Sequence, residues 1–171
     1  MTPCGSLKMN IAILSDIHDH ITNLTSALSK LGKADALICC GDLCSPFIVV
    51  ELGQQFLKPI HIVFGNNDGD LFRITQQATR FSQITLHGEF ADLSLGGKRI
   101  GVTHFPNIAG AIALSNRYDL VCCGHNHILD IANEGSTSLV NPGEVFGGLT
   151  GKATFVIYNT DTGIAKPHQI L

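Results

Sequence analysis

The sequence contains no apolar run approaching the ~18 residues that a membrane-spanning helix needs and no C-x-x-C pair, and it is short of charge. Asp, Glu, Lys and Arg together make up 15% of the 171 residues. The eleven basic side chains are scattered singly apart from Lys98-Arg99, and the net charge is -3. No basic stripe of the kind a phosphate backbone requires is present, which argues against a nucleic-acid-binding surface. Low-complexity segments are absent, and Met1 to Asn10 lacks the apolar stretch of a signal peptide. A cytoplasmic location with no membrane contact is the expectation.

What is present is a chain of 44% hydrophobic residues, enough to bury a full core. We read residues 9–171 as a single domain, because Met9-Asn10-Ile11 opens the first strand directly. Residues 1–8 are then an N-terminal extension, disordered or left over from cloning. Six cysteines include the adjacent pairs Cys39-Cys40 and Cys122-Cys123. Neighbouring strand residues point to opposite faces, so such pairs suit reduced, buried thiols better than a chelate or an unstrained disulfide.

Strands alternate with helices through the first half. Ile11 to Leu14 is an apolar run suited to a strand buried on both faces. Leu24, Ala27, Leu28 and Leu31 follow helical spacing, with Thr22 or Asn23 as the cap and Gly32 beyond the end. Ala36 to Cys40 and Ile60 to Phe64 give two further strands, and Ser45-Pro46 starts a helix between them. Phe90 to Leu95 and Lys98 to Thr103 flank Gly96-Gly97, a hairpin signal that makes the sheet mixed. A short helix over Ala109 to Ser115, a strand over Leu120 to Cys123, and strands Ala153 to Tyr158 and Ile164 to His168 complete the pattern.

Five fragments place ligand side chains where strands should end: Asp16-Ile17-His18, Gly41-Asp42, Gly65-Asn66-Asn67-Asp68, His104 and Gly124-His125-Asn126-His127. Alone, each is common. Combined in order, four imidazoles, two carboxylates and one amide oxygen read as a two-metal hydrolytic centre. This nitrogen and oxygen set suits transition ions better than calcium or magnesium. Two divalent ions bring four positive charges, of which Asp16 and Asp42 cancel two and a bridging hydroxide a third. The net positive remainder suits an anionic phosphate ester. Asp42 is the candidate bridge, since a carboxylate has lone pairs for two metals. His125 and His127, two apart, are expected on the same side of an extended segment.

In these fragments the chain resembles the calcineurin-like metallophosphoesterases, in particular their small YfcE-type phosphodiesterase branch, over Asn10 to His168. The family pattern D-x-H, G-D, G-N-x-D, H, G-H-x-H implies that Asp16, His18, Asp42 and His127 hold one ion and Asp42, Asn66, His104 and His125 the other. Asn141-Pro142-Gly143 matches the N-P-G turn of that branch. The resemblance implies an α/β fold, a four-layer αββα sandwich of two mixed sheets flanked by helices. It also implies two divalent transition-metal ions, with manganese favoured and nickel, iron or zinc as alternatives. The expected catalytic residues are Asn67, Asp68 and His104. Many relatives carry a histidine where this chain has Asn67, which can donate a hydrogen bond but cannot deliver a proton to a leaving group. Phe105 replaces a common glycine and is expected to narrow the approach. Asp68 is expected to support a ligand rather than bind metal.

The reading is therefore a metal-dependent phosphodiesterase acting on a small phosphate ester, with a phosphomonoesterase as alternative. A binding scaffold like the small retromer subunit is the alternative of another class; that subunit shares the fold but lacks several ligands that this chain retains. A homo-oligomer stays open. His20 is read as facing solvent near a helix start, with substrate contact as the alternative. His61 is read as a buried, hydrogen-bonded strand residue, and Glu144 as lining the entrance or facing water.

Overall fold

The computed structural model describes residues 8–171. The N-terminal extension expected at 1–8 therefore lies outside the described residues except for Lys8, which pairs with Asp161 at 2.7 Å. The chain order begins β1 (Asn10–Leu14), α1 (Ile21–Ser29), β2 (Ala36–Cys39), α2 (Pro46–Gln55), β3 (Ile60–Ile62), α3 (Leu71–Ala78) and β4 (Ile84–Leu86). It continues with β5 (Phe90–Leu95), β6 (Lys98–Thr103), α4 (Pro106–Leu114) and β7 (Leu120–Cys122). The last strands are β8 (Leu129–Glu134), β9 (Thr137–Pro142), β10 (Thr154–Asn159) and β11 (Ile164–Gln169).

Two mixed sheets result, ordered β11-β10-β1-β2-β3-β4 and β5-β6-β7-β9-β8. In the first, β1 to β4 run parallel while β10 is antiparallel to both β1 and β11. In the second, β6, β7 and β9 are parallel, and β5 and β8 close the two edges as antiparallel strands. Side-chain alternation explains the layers. From β1, Ile11 and Ile13 point between the sheets, where they meet Ile100, Val102, Leu120 and Val140. Ala12 and Leu14 point the other way, to Leu24 and Ala27 of α1 and Ile48 and Leu52 of α2. Ala109 and Ala113 of α4 cover Val121 and Cys123 on the far side. The result is the four-layer αββα sandwich expected from the resemblance. Among the described residues no helix is long and apolar enough to cross a membrane.

The adjacent cysteines follow the same alternation. Cys39 packs on the helix side and Cys40 between the sheets, where Cys122 also lies. Among the described residues the cysteines are free thiols. One local expectation is corrected: neither Thr22 nor Asn23 caps α1. His20 is its N-cap, accepting the Asn23 N–H on Nδ1 at 3.2 Å. An imidazole nitrogen can accept as the usual hydroxyl or carboxamide oxygen does. His61, in the middle of β3, is half-buried rather than buried, and it does hydrogen bond, to His87 just past β4 at 3.0 Å.

Candidate metal centre

The ligand fragments follow β1, β2, β3, β6 and β7, whose carboxyl ends meet above the gap between the sheets. The loops hold one another by backbone bonds. Asp16 N–H donates to the Gly41 carbonyl, Ile17 and His18 N–H to that of Asp42, and Gly124 N–H to that of His104. At Asp16, His18, Asp42, His125 and His127 the backbone is left-handed, with φ of 53°, 44°, 56°, 72° and 64°. That region is unfavourable for side-chain-bearing residues, and such clusters mark sites where tertiary structure overrides local preference. It corrects the expectation that His125 and His127 project together from an extended segment. Their rings meet different partners, Asn66 for His125 and Glu144 for His127.

The seven expected ligands form one continuous chain of contacts. His127 Nε2 lies 3.4 Å from Asp16 Oδ1, which is 3.8 Å from His18 Nε2. His18 Nε2 is 3.4 Å from Asp42 Oδ2, and the other oxygen, Oδ1, is 3.5 Å from His104 Nε2. That nitrogen is 3.1 Å from Asn66 Oδ1, which His125 Nδ1 approaches to 2.8 Å. Ligand atoms of Asp16, His18 and His127 lie within 4.8 Å of one another, as do those of Asp16, Asp42 and His104. The chain runs from buried Asp16, Asp42, His104 and His127 to exposed Asn66 and His125, so one end opens to solvent. His18 and Phe146 rings are 5.7 Å apart on one side of this opening. On the other, Phe105 packs edge-on against His104 and His125 at 5.2 and 5.3 Å.

Metal ions fit this arrangement on the evidence of its orphaned atoms. Asp16 Oδ1 and His18 Nε2 are buried without a hydrogen-bond partner, an arrangement that costs free energy unless something else satisfies them. The remaining atoms of the ligands are satisfied in ways that leave the metal-facing ones free. Asp16 Oδ2 accepts the His125 N–H at 3.0 Å. His104 donates from Nδ1 to the Cys40 carbonyl at 2.7 Å, which leaves the Nε2 lone pair facing the site. The Cys44 thiol is 3.4 Å from His18 Nδ1, and burial pushes it up to about 12, so it remains a neutral thiol. Gly65 is required by contact: a Cβ there would strike Asp42 Oδ1 and His104.

Electrostatics favour an ionised bridge candidate. Burial raises the Asp42 carboxyl, but His104 and the backbone and side-chain N–H of Asn67 outweigh it and hold the group well below the ordinary carboxylate range. The nearby Asp16 carboxylate pushes the His18 ring up, and burial notwithstanding, Asp42 also raises His104. Asn67 donates to Asp42 twice, from N–H to Oδ1 and from the amide to Oδ2, both at 2.8 Å. Asp68 accepts the N–H groups of Asp42, Leu43, Cys44 and Gly65, at 2.7 to 3.1 Å. It thus ties the second and third ligand loops together through their backbones. Burial raises its carboxyl despite these donors.

One residue turns out differently from expectation. Glu144 neither lines the entrance nor faces water: it is fully buried and accepts from His127 Nδ1 at 2.7 Å. The sequence signal was the N-P-G turn before it. There Asn141 Nδ2 donates to the Gly124 carbonyl and to Asn126 Oδ1 at 2.9 and 2.8 Å, pinning the Gly-His-Asn-His loop above Glu144. His20, as described, caps α1, with its ring 5.9 Å from Phe146.

Comparison with known proteins agrees with this architecture. Residues 9–163 match the calcineurin-like phosphoesterase superfamily domain. Phosphodiesterase MJ0936 of Methanocaldococcus jannaschii is 28% identical over 157 residues, 90% of this chain and 94% of that protein. Among solved structures, an archaeal phosphodiesterase superposes with a TM-score of 0.87 at 26% identity, covering 94% of this chain and 99% of the other. Two structures share the fold at 18% identity: YfcE, a phosphoesterase from E. coli (TM-score 0.66, 95% and 100% covered), and vacuolar protein sorting 29 from Cryptosporidium parvum (0.69, 95% and 97%). With the family domain spanning nearly the whole chain, the protein belongs to the calcineurin-like phosphoesterase superfamily.

Proposed function

We propose that the protein is a phosphodiesterase with a dinuclear metal centre, acting on a small phosphate ester in the cytoplasm. The observation that carries this is the position of Asp42, whose two oxygens face His18 on one side and His104 on the other. In this reading Asp16, His18, Asp42 and His127 hold the first ion, and Asp42, Asn66, His104 and His125 the second. Manganese is favoured, with nickel, iron and zinc as alternatives, because the donor set mixes imidazole with oxygen. When bound, the ions supply charge neutralisation at the phosphoryl group and an activated water for in-line attack.

The protein's own groups do the rest. Asp42, kept ionised by Asn67 and His104, holds the two halves of the site together. Asn67 is committed to Asp42 and has no proton to give, so leaving-group protonation falls to solvent. Phe105 and Phe146 flank the opening and limit water around the reacting phosphate. A cavity of ≈ 290 Å³ lined by His127, Ile128, Leu129, Thr150, Lys152 and Thr154 adjoins the first ion site. It offers apolar wall and one cation to the second ester group, which favours a diester over a monoester. Retention of all seven ligand residues favours catalysis over a pure scaffold role, and the ligand set needs no second subunit. The test is chelation followed by assay on aryl phosphomonoesters and phosphodiesters. Activity should vanish, return with manganese or a similar ion and not with calcium, and be higher on diesters. Full activity in the chelated protein overturns the metal reading.

A further inference from the structure

We propose that Glu144 is a positioning residue that fixes the tautomer of His127 and, through it, the affinity of the first ion site; this rests on the reading of His127 as a ligand. Glu144 has no solvent exposure, yet every lone pair it offers is used asymmetrically. Three donors converge on Oε1: Thr150 N–H at 2.7 Å, Thr150 Oγ1–H at 2.7 Å and Leu149 N–H at 3.1 Å. Leu149 N–H also reaches Oε2, at 3.4 Å, but the short partner of Oε2 is His127 Nδ1 at 2.7 Å. A carboxylate only accepts, so Nδ1 must carry the ring proton. The lone pair is thereby left on Nε2, which faces the orphaned Asp16 Oδ1 at 3.4 Å. That is the nitrogen a metal ion needs bare.

The asymmetry makes Glu144→Gln diagnostic at constant shape. Two of the three donors on Oε1 are backbone N–H groups and cannot turn away, so the amide oxygen must stay there. The amide NH₂ is then forced toward His127 Nδ1, which must accept. The ring proton moves to Nε2 and occupies the position that the ion requires. The chain from β9 through Glu144 to Thr150 thus becomes part of the metal centre without contributing a ligand. Glu144 is also tied to the first ligand loop, since Val145 and Phe146 N–H donate to the Ser15 and Asp16 carbonyls.

The experiment is long-range ¹H–¹⁵N imidazole spectroscopy on the chelated full-length protein, with His127→Gln to assign the signals, alongside manganese titration by calorimetry. The natural protein should show His127 protonated on Nδ1, and Glu144→Gln should show it on Nε2. First-site affinity should fall about 10- to 100-fold, the usual effect of losing a partner behind a ligand, while the second site is unchanged. An Nε2–H tautomer in the natural protein overturns the proposal without any variant, as does a Glu144→Gln protein with unaltered tautomer and titration. Should the natural protein bind no ion, the metal reading fails, and the spectra still decide what Glu144 does to His127.

Discussion

Asp42→Asn is the sharpest perturbation of the proposed centre, because it exchanges one oxygen for an NH₂ group at nearly constant volume. Both Asp42 oxygens are taken by Asn67 donors at 2.8 Å, one from the backbone and one from the side chain. The variant amide can accept only one of them. The backbone N–H cannot turn away, so it keeps the oxygen, and the Asn67 amide must flip to offer its own oxygen to the new NH₂ group. Exchanging two charge-assisted bonds for neutral ones, with none left unmade, places the cost near the low end of ~1–3 kcal/mol. For a chain of this length each kcal/mol lowers Tm by about 2–4 °C. Since Asp42 is held ionised well below the ordinary carboxylate range, its contribution is fully present above the unfolded value near 3.8 and is lost as pH falls through the folded one. The carboxylate's own share in the metal-free proteins is therefore constant above about pH 5, whereas the share it gives by raising His104 is present below about pH 6.5 and lost as pH rises through the raised folded value, so the stability difference should shrink toward pH 8. The larger effect is on the ions: one shared negative charge disappears, and both affinities should fall at least about 10-fold, the scale seen even for indirect ligand support. His104→Ala should weaken the second ion alone. Elemental analysis and calorimetric titration read both. An Asp42→Asn protein that still holds two tightly bound ions refutes the bridging assignment.

Two further outcomes follow from other parts of the molecule. His61 and His87 are both pushed below the ordinary imidazole value by burial, and His61 also by His87, so the unfolded chain binds their protons more readily. Their contribution is present above about pH 6.5 and is lost as pH falls below it; denaturant midpoints between pH 5 and 8 should show a shallower pH dependence in His87→Gln, and an identical slope contradicts the pairing. With Asn67 unable to act as an acid, rates should fall steeply as the leaving group becomes more basic. Asn67→His should flatten that dependence for alkyl esters, whereas a flat plot in the natural protein means that another group delivers the proton.

The readable parts of this fold are those in which chemistry and period coincide locally. The hairpin Phe90–Leu95 and Lys98–Thr103 was legible to the residue because Gly96-Gly97 sits between two apolar-alternating arms. The first strand was legible as an apolar run buried on both faces. By contrast α3 sets Leu71, Ile74 and Ala78 at helical spacing but is only eight residues long, and β4 is a three-residue, partly exposed strand, so neither signal stands out beside the longer elements. The edge strand β8 exposes Leu129, Asp130 and Ile131, which hides the alternation that a half-buried strand would show. The ligand residues were legible because their side-chain types announce metal chemistry regardless of conformation. Their backbone conformation was not, since left-handed turns at His125 and His127 follow from loop packing. Glu144 escaped for a similar reason: it reaches His127 only after the β8–β9 hairpin folds back. Asp68 was legible from the G-N-x-D fragment, but not that it acts through backbone N–H groups of two loops.

The left-handed backbone at the ligands carries a consequence for how this protein can be improved. His18, His125 and His127 occupy a region that costs side-chain-bearing L-residues roughly 1–2 kcal/mol each, whereas glycine enters it freely. Thermostability selection blind to activity would therefore be drawn to these positions first, and its best survivors would be hardened shells without a reaction. The same histidines that make the chemistry are the fold's weakest conformational choices, so a robust variant is better sought at the far end of the sheets, where no ligand loop is held against its own preference.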